Sequence, residues 1–346
     1  MADALAVRRT RAPRVRRPQH RQRQLAAVLF APTLLVVAVT VYGFMAFTAR
    51  VSVTKGYSPL TPSMATTPGL ADNYRALLKT PRFQADLRNI VIFTIAVLIV
   101  AVVVGMALAL LVHNTVRAAG FFRSVFLLPY SLSFIVTGVV WRWIFTPQTG
   151  VNLLFKYSGL SALYEAVSGK PLQPGWITDP AVAGNVNGVL TSAFPSLSGV
   201  LQAKLGIPLA LIPVVIAAAW QLSGFAMAMF LAGLGTVPEE VIEASKMDGA
   251  GPWKTFRHVT LPLLWPTMVI TLVLLGHIAL KSFDLFYAMV GSGPGFATDI
   301  PGIFVYDQMF RALHYNVGAA ASIVMLVLVS LIVVPYLIRT YAREES

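Results

Sequence analysis

An all-α polytopic membrane protein with six transmembrane helices is the fold class predicted for this 346-residue chain. Three observations predict it. Apolar residues make up 56% and charged residues 12%, with a mean hydropathy of +0.71, which leaves too little polar surface to cover a water-facing globule. Six apolar runs of about 20 residues follow one another, each long enough to cross the hydrocarbon of a bilayer. The short alternating pattern of barrel strands is absent, and helices satisfy their backbone hydrogen bonds within one segment, as lipid requires.

The elements follow in order. Met1–Leu25 holds eight arginines against one acid, Asp3. The net charge of +13 raises the idea of a nucleic-acid arm, but a basic stretch directly before an apolar run is more simply a cytoplasmic topology determinant. The first run, Leu25–Phe47, has 23 uncharged residues, beyond the roughly 7–15 of a signal-peptide core, so it reads as a retained helix. Further runs cover Ile90–His113, Val125–Phe145, Ile207–Leu234, Pro262–Leu280 and Val317–Leu337. A short loop with Arg117 and Arg123 separates the second from the third, which ends in the interfacial cluster Trp141-Arg142-Trp143. The spans make one domain, 25–337, between a basic tail at 1–24 and a tail at 338–346. Both termini are expected in the cytoplasm of a cell-membrane protein. Thr48–Asn89 and Thr146–Gly206 are then outside and Gly235–Leu261 inside. Val186–Leu201, with Asn187, Ser192, Pro195 and Ser196, is short for a span and is expected as a surface or re-entrant element.

The segment Glu239–Pro262 interrupts the apolar pattern with seven charges. Thr236-Val237-Pro238-Glu239 has capping-box spacing with proline in the first turn. A helix is predicted to about Met247, with Val237, Val241 and Ala244 along one face. Gly249 sits where a left-handed cap is needed. Gly251-Pro252 opens a second short helix, carrying Trp253 and Phe256 and ending near Leu261-Pro262. Two readings compete. Helices lying on lipid headgroups usually pair a lysine-rich face with bulky apolar residues. This segment has four acids against three bases, with small residues at Ala244, Ser245, Gly249 and Ala250, which favours docking into a cleft of another protein.

Here the chain resembles a family. Glu243-Ala244-Ser245 followed by Asp248-Gly249-Ala250 is similar to the E-A-A-x-x-D-G-A coupling loop of binding-protein-dependent ABC importer permeases, departing at Ser245 alone. Gly69-Leu70, Asn73-Tyr74, Pro81, Phe83, Leu87 and Asn89 resemble the first outer loop of the carbohydrate permeases. Leu128-Pro129-Tyr130, Trp141-Arg142-Trp143, Trp220, Ala232-Gly233-Leu234 and Pro238 continue the likeness. Phe283-Asp284 and the turn Gly291–Gly295 resemble the larger maltose-type subunit, where the other class carries a tryptophan–asparagine pair. The resemblance implies a coupling loop contacting a homodimeric cytoplasmic ATPase through Glu240, Glu243, Ala244, Ser245, Asp248, Gly249 and Ala250. It implies a second, different permease subunit and an extracytoplasmic solute-binding protein met by Gly291, Gly293, Pro294 and Gly295. ATP and magnesium would be held by the ATPase; this chain needs no cofactor and no metal of its own. The stretch from Gly293 to Tyr315 looks nearest to glucose- or mannose-type permeases. A glycerol phosphate ester remains an alternative solute.

No catalytic residues are expected. The chain has no cysteine, which excludes disulfides, iron–sulfur clusters and thiol chemistry. The GSGPG turn is followed by no lysine with serine or threonine, so it is not a P-loop. An integral-membrane enzyme would cluster carboxylates or histidines within the spans, and a channel would repeat a selectivity segment; neither pattern is visible. Along the spans, Tyr130, Ser131, Trp220 and Gln221 supply aromatic and hydrogen-bonding groups suited to a sugar, and equally to helix packing. Lys281 and Asp284, one turn apart, are either a mutually neutralising pair or a polar lining for hydroxyls. His113 and His277 suit packing or interfacial roles better than a proton relay.

Overall fold

The computed structural model describes residues 20–60, 62–114, 119–169, 171–195 and 201–344. The arginine-rich start up to residue 19, Arg117 and residues 196–200 therefore lie outside the described residues. The chain divides between Ala49 and Arg50 into two units. The first is a helical rod of α1 (His20–Val37), a π-type turn at Ala38–Gly43, and most of α2 (Phe44–Ser52). Within it Thr40 donates its hydroxyl to the Val36 carbonyl at 2.7 Å.

In the second unit, α3 (Asp72–Lys79) leads to α4 (Pro81–Asn114). Thr80 is extended and Pro81 supplies a helical φ at the first position. At 34 residues this helix is about 51 Å long against about 30 Å of hydrocarbon, so its charged first turns, up to Asn89, project beyond the apolar run. Phe93, Val97, Ala101, Gly105 and Ala109 line one face at helical spacing and are buried. They meet Val214, Ala218, Leu222, Ala226 and Phe230 of α10 (Leu211–Leu234). Gly105 sets the closeness of the two helices. A Cβ there would stand 2.5 Å from the Ala226 Cβ and 2.9 Å from the Met227 amide nitrogen. Small residues at helix contacts are the usual device where lipid supplies no hydrophobic drive to associate.

The third apolar run, expected as a span at Val125–Phe145, is sharply bent rather than one straight helix. α5 (Ala119–Leu127) tightens into a 3₁₀ turn at Leu128–Ser131 and meets α6 (Phe134–Ile144) at 94°. Pro129 has no N–H to continue a helix, and Leu132 and Ser133 are extended. Ser133 caps α6 by accepting the Val136 amide at 3.3 Å. The freed Leu132 carbonyl accepts the Gln221 side-chain amide of α10 at 2.7 Å, so a packed partner satisfies the break.

Between α6 and α10 come α7 (Val151–Tyr157), α8 (Leu160–Ser168), β1 (Val182–Ala183) and α9 (Asn187–Ala193), then β2 (Ile207–Pro208). β2 pairs antiparallel with β1, so the fourth span starts at Leu211 rather than Ile207. α9 is a short surface helix. Its Asn187 side chain donates to the Ala203 carbonyl and accepts the Leu205 amide.

After α10 come α11 (Glu239–Met247) and α12 (Pro252–Thr255), a π-type turn at Phe256–Thr260, α13 (Leu261–Leu263) and α14 (Trp265–Leu280). The expected start of the fifth span at Pro262 is corrected here. Pro262 sits in the first turn of α13, where a proline costs no hydrogen bond, and the 67° bend falls at Leu264. α15 (Phe283–Met289) packs on α6, with Gly138 directly against Leu285 and Ala288. α16 (Pro301–Tyr306) and a π-type turn at Asp307–Arg311 precede α17 (Tyr315–Glu344). α17 carries the helix through residues 338–344, which the sequence reading set aside as a tail. By length and composition, four described helices are able to cross a membrane, or six with each bent pair taken as one span.

A polar network ties the projecting start of α4 to the chain after α15. Arg82 donates through Nε to Asp299 and through Nη2 to Asp307, both at 2.6 Å. Its guanidinium also lies over the rings of Phe296 and Phe304. Asn89 donates to the carbonyls of Phe296 and Asp299, and Gln84 accepts the amides of Gln202 and Ala203. Asp86 and Asp299 are both fully buried, and no donor reaches either Asp86 oxygen. Burial and the neighbouring Asp299 charge push the Asp86 carboxyl up from its ordinary value against the opposing pull of Arg82 and Arg88, which favours the neutral acid. Burial pushes the Asp299 carboxyl up from its ordinary value, and Arg82 pulls it partway back.

Two outcomes are expected. Gly105→Leu drives a side chain into the α10 backbone and should destabilise the protein by about 1–3 kcal/mol, read as a lower thermal midpoint in detergent. Arg82→Met strands Asp299 and should cost about 3 kcal/mol in the same assay, whereas Asp86→Asn, which keeps shape and neutrality, should leave the midpoint near that of the unaltered protein.

Candidate functional site

The charged segment folds as two short helices closed by a turn. α10 ends at Leu234, and Thr236 donates its hydroxyl back to the Gly233 carbonyl at 2.8 Å. The predicted capping box is therefore not formed. Pro238, extended at ψ 133°, takes the cap position, and Thr236 serves the preceding helix instead. Glu239 and Glu240 occupy the first turn of α11 and Lys246 its last, the arrangement its dipole favours. Gly249 is left-handed at φ +76°. Its amide donates to the Lys246 carbonyl and that of Ala250 to the Ser245 carbonyl, both at 3.0 Å, the paired bonds of a Schellman cap. Gly251 is extended and Pro252 starts the second helix.

Ser245 locks the two helices together. Its side chain bonds the Ile242 carbonyl at 2.8 Å and the Thr255 hydroxyl at 3.1 Å, and both residues are buried. The packed face is therefore Ile242 with Ser245. Val241 and Ala244, expected along one face with Val237, are exposed, and Val237 lies before the extended Pro238 and outside the helical frame. Glu240, Glu243, Ala244, Asp248 and Gly249 are exposed together on the outer surface of this plug, with Ala250 half-buried. Met247 is 89% exposed and Trp253 68%. Beneath the plug is a cavity of about 760 Å³ lined by Leu110 and His113 of α4 and by Ile242, Trp253 and Phe256. Val237, Phe256 and Leu261 pack against the core of the bundle.

The other predicted residues fall in three places. Tyr130 and Trp220 are half-exposed; the Tyr130 ring lies 5.0 Å from that of Phe225 and the Trp220 ring 5.7 Å from that of Trp141. Ser131 donates to the Leu128 carbonyl, and Gln221 is buried with its amide committed to the break at Leu132. Lys281 ends α14, and Asp284 lies in the first turn of α15. Both are exposed, and among the described residues no ion pair joins them. Gly291, Gly293 and Gly295 all have positive φ near +60°. Gly293 lies tight against Thr298, and Pro294 opens a 3₁₀ turn. His277 sits in α14 with a buried, unpartnered Nδ1.

Sequence reasoning missed Arg82, Asp86, Asp299 and Asp307. Charged residues clustered just before an apolar run were the available signal. Their partners lie more than 200 positions away, so spacing alone does not pair them.

The profile of a family described as "Binding-protein-dependent transport system inner membrane component" matches residues 101–343. A probable ABC transporter permease protein of Pyrococcus horikoshii is 31% identical over 315 residues, covering 91% of this chain and 94% of that protein. A xylose/arabinose import permease protein of Haloferax volcanii is 27% identical, covering 89% and 86%. A bacterial ABC transporter of known crystal structure, involved in the import of alginate, has a chain that superposes with a TM-score of 0.64. The match has 17% identity and covers 91% of this chain and 94% of that one, a likeness of fold. The chain belongs to the binding-protein-dependent transport system inner membrane component family, and it is a multi-pass membrane protein.

Proposed function

We propose that the protein is a transmembrane permease subunit of an ATP-driven sugar importer, forming half of a translocation path beside a second, different permease. The plug α11–α13 faces the cytoplasm and sits in a groove of a separate homodimeric ATPase. The opposite end, with the Gly291–Gly295 turn, meets an extracytoplasmic solute-binding protein. What carries the reading is the clamp between Ser245 and Thr255 together with the Schellman cap at Gly249. They make two helices one rigid body, which hands a push from the ATPase to α14 across a single bend. Charge supports the groove: Glu240, Glu243 and Asp248 stand exposed on the plug and suit basic residues on the partner. For the sugar, support comes from a relative named for xylose/arabinose import, and from the exposed aromatic rings Tyr130 and Trp220. This chain's own work is conformational. ATP hydrolysis and its magnesium belong to the partner.

Two measurements test this. Glu243→Arg should insert normally and weaken ATPase capture about tenfold or more, as loss of about 1.4 kcal/mol implies; unchanged co-purification and transport would remove the docking role. Because the chain has no cysteine, Met247→Cys gives one reactive thiol. It should resist a membrane-impermeant maleimide in intact cells and react in inverted vesicles. Labelling from outside intact cells would reverse the assigned orientation.

A further inference from the structure

We infer that a ladder of aromatic rings beside Lys281 and Asp284 is a stacking platform for a sugar ring at the entrance to the path, an inference that rests on the importer reading above. Tyr287, one turn beyond Asp284 in α15, lies 5.3 Å from the Tyr306 ring of α16. Tyr306 lies 5.4 Å from Phe310 in the following π-type turn. Arg311 stands 5.6 Å from the Tyr306 ring centroid and 3.3 Å from Asp307. The turn is held from behind, since Asp307 also accepts from Arg82. Rings from three elements are thus fixed in place before any ligand arrives.

Two plainer explanations fail on exposure and charge. The rings are not core: Phe93 and Phe286, also paired ring to ring, are fully buried, whereas Tyr287 is 42% and Phe310 70% exposed. Nor are they turned to the hydrocarbon core. Lys281, Asp284 and Arg311 beside them are all exposed, and a charge at the centre of the hydrocarbon costs up to about 2.5–3.5 kcal/mol. This face lies at headgroup level or along a water-filled path, and we take the second.

The mixture of groups selects the ligand. A pyranose presents an apolar C–H face, which stacks on an aromatic ring, and a rim of hydroxyls that both donate and accept. Arg311 and Lys281 donate and Asp284 accepts; Arg311 is already paired with Asp307, which leaves Lys281 and Asp284 opposite in sign, so a neutral ligand fits better than an anion. The platform directly flanks the Gly291–Gly295 turn, where a solute released from the binding protein would first meet this chain.

The test uses the whole transporter, with both permeases, ATPase and binding protein in proteoliposomes, and uptake of a ¹⁴C-labelled pentose, hexose and disaccharide. Tyr287→Leu and Phe310→Leu should raise the KM for the transported sugar about tenfold, the scale of one lost aromatic contact. ATPase stimulation by the sugar-free binding protein should stay unchanged, and Tyr287→Phe should keep the original KM. An unchanged KM in both leucine variants overturns the platform while leaving the importer intact. So does a loss of stimulated ATPase that parallels the loss of uptake, since that marks packing. An unaltered transporter that moves none of the three sugars overturns the substrate class, and the platform with it.

Discussion

The close approach of α4 and α10 is the contact on which the rest of the structure depends. In lipid, apolar side chains gain little by leaving their surroundings, so two helices stay together through dense packing and through hydrogen bonds satisfied between them. Gly105 against Ala226 and Met227 supplies the first. Gln221 supplies a hydrogen bond of the second kind to a third segment, reaching from α10 to the open Leu132 carbonyl between α5 and α6. Through that one amide the pair also fixes where α5 and α6 bend apart.

At each end of α4 a different chemistry secures the loops. At its C-terminal end the plug rests over an apolar cavity, held internally by Ser245 and Thr255. At its N-terminal end, Arg82 and Asn89 grip the chain after α15 through buried polar bonds. The contrast suits the proposed cycle. An internally rigid plug with a cavity beneath it is able to tilt as a body, and a tightly bonded opposite end keeps the entrance in register with the binding protein. Among the described residues the bends at Leu132 and Leu264 each break a candidate span, and each falls near a proline at the start of an adjoining helical turn.

Much of this was legible from residue order. Local rules located the plug: Gly249 needed a left-handed conformation and Pro252 a helix start, and both are found there. They failed where two local signals competed for one residue. Thr236 offers its hydroxyl equally to the helix behind it and the helix ahead, and the extended Pro238 decides for the former. The Val125–Phe145 run reads as one span because hydropathy is blind to direction; the turn at Pro129 and Ser133 is visible only in the backbone.

Sequence by itself determined the solvent, the number of apolar segments and the position of the charged plug, because each is set by composition or by interactions within a few residues. Tertiary structure alone decided the partners of Arg82, Asn89 and Gln221 and the meeting of Tyr287 with Tyr306. Those contacts join residues far apart in the chain, and their geometry exists once helices have packed, so no spacing rule along the sequence encodes them.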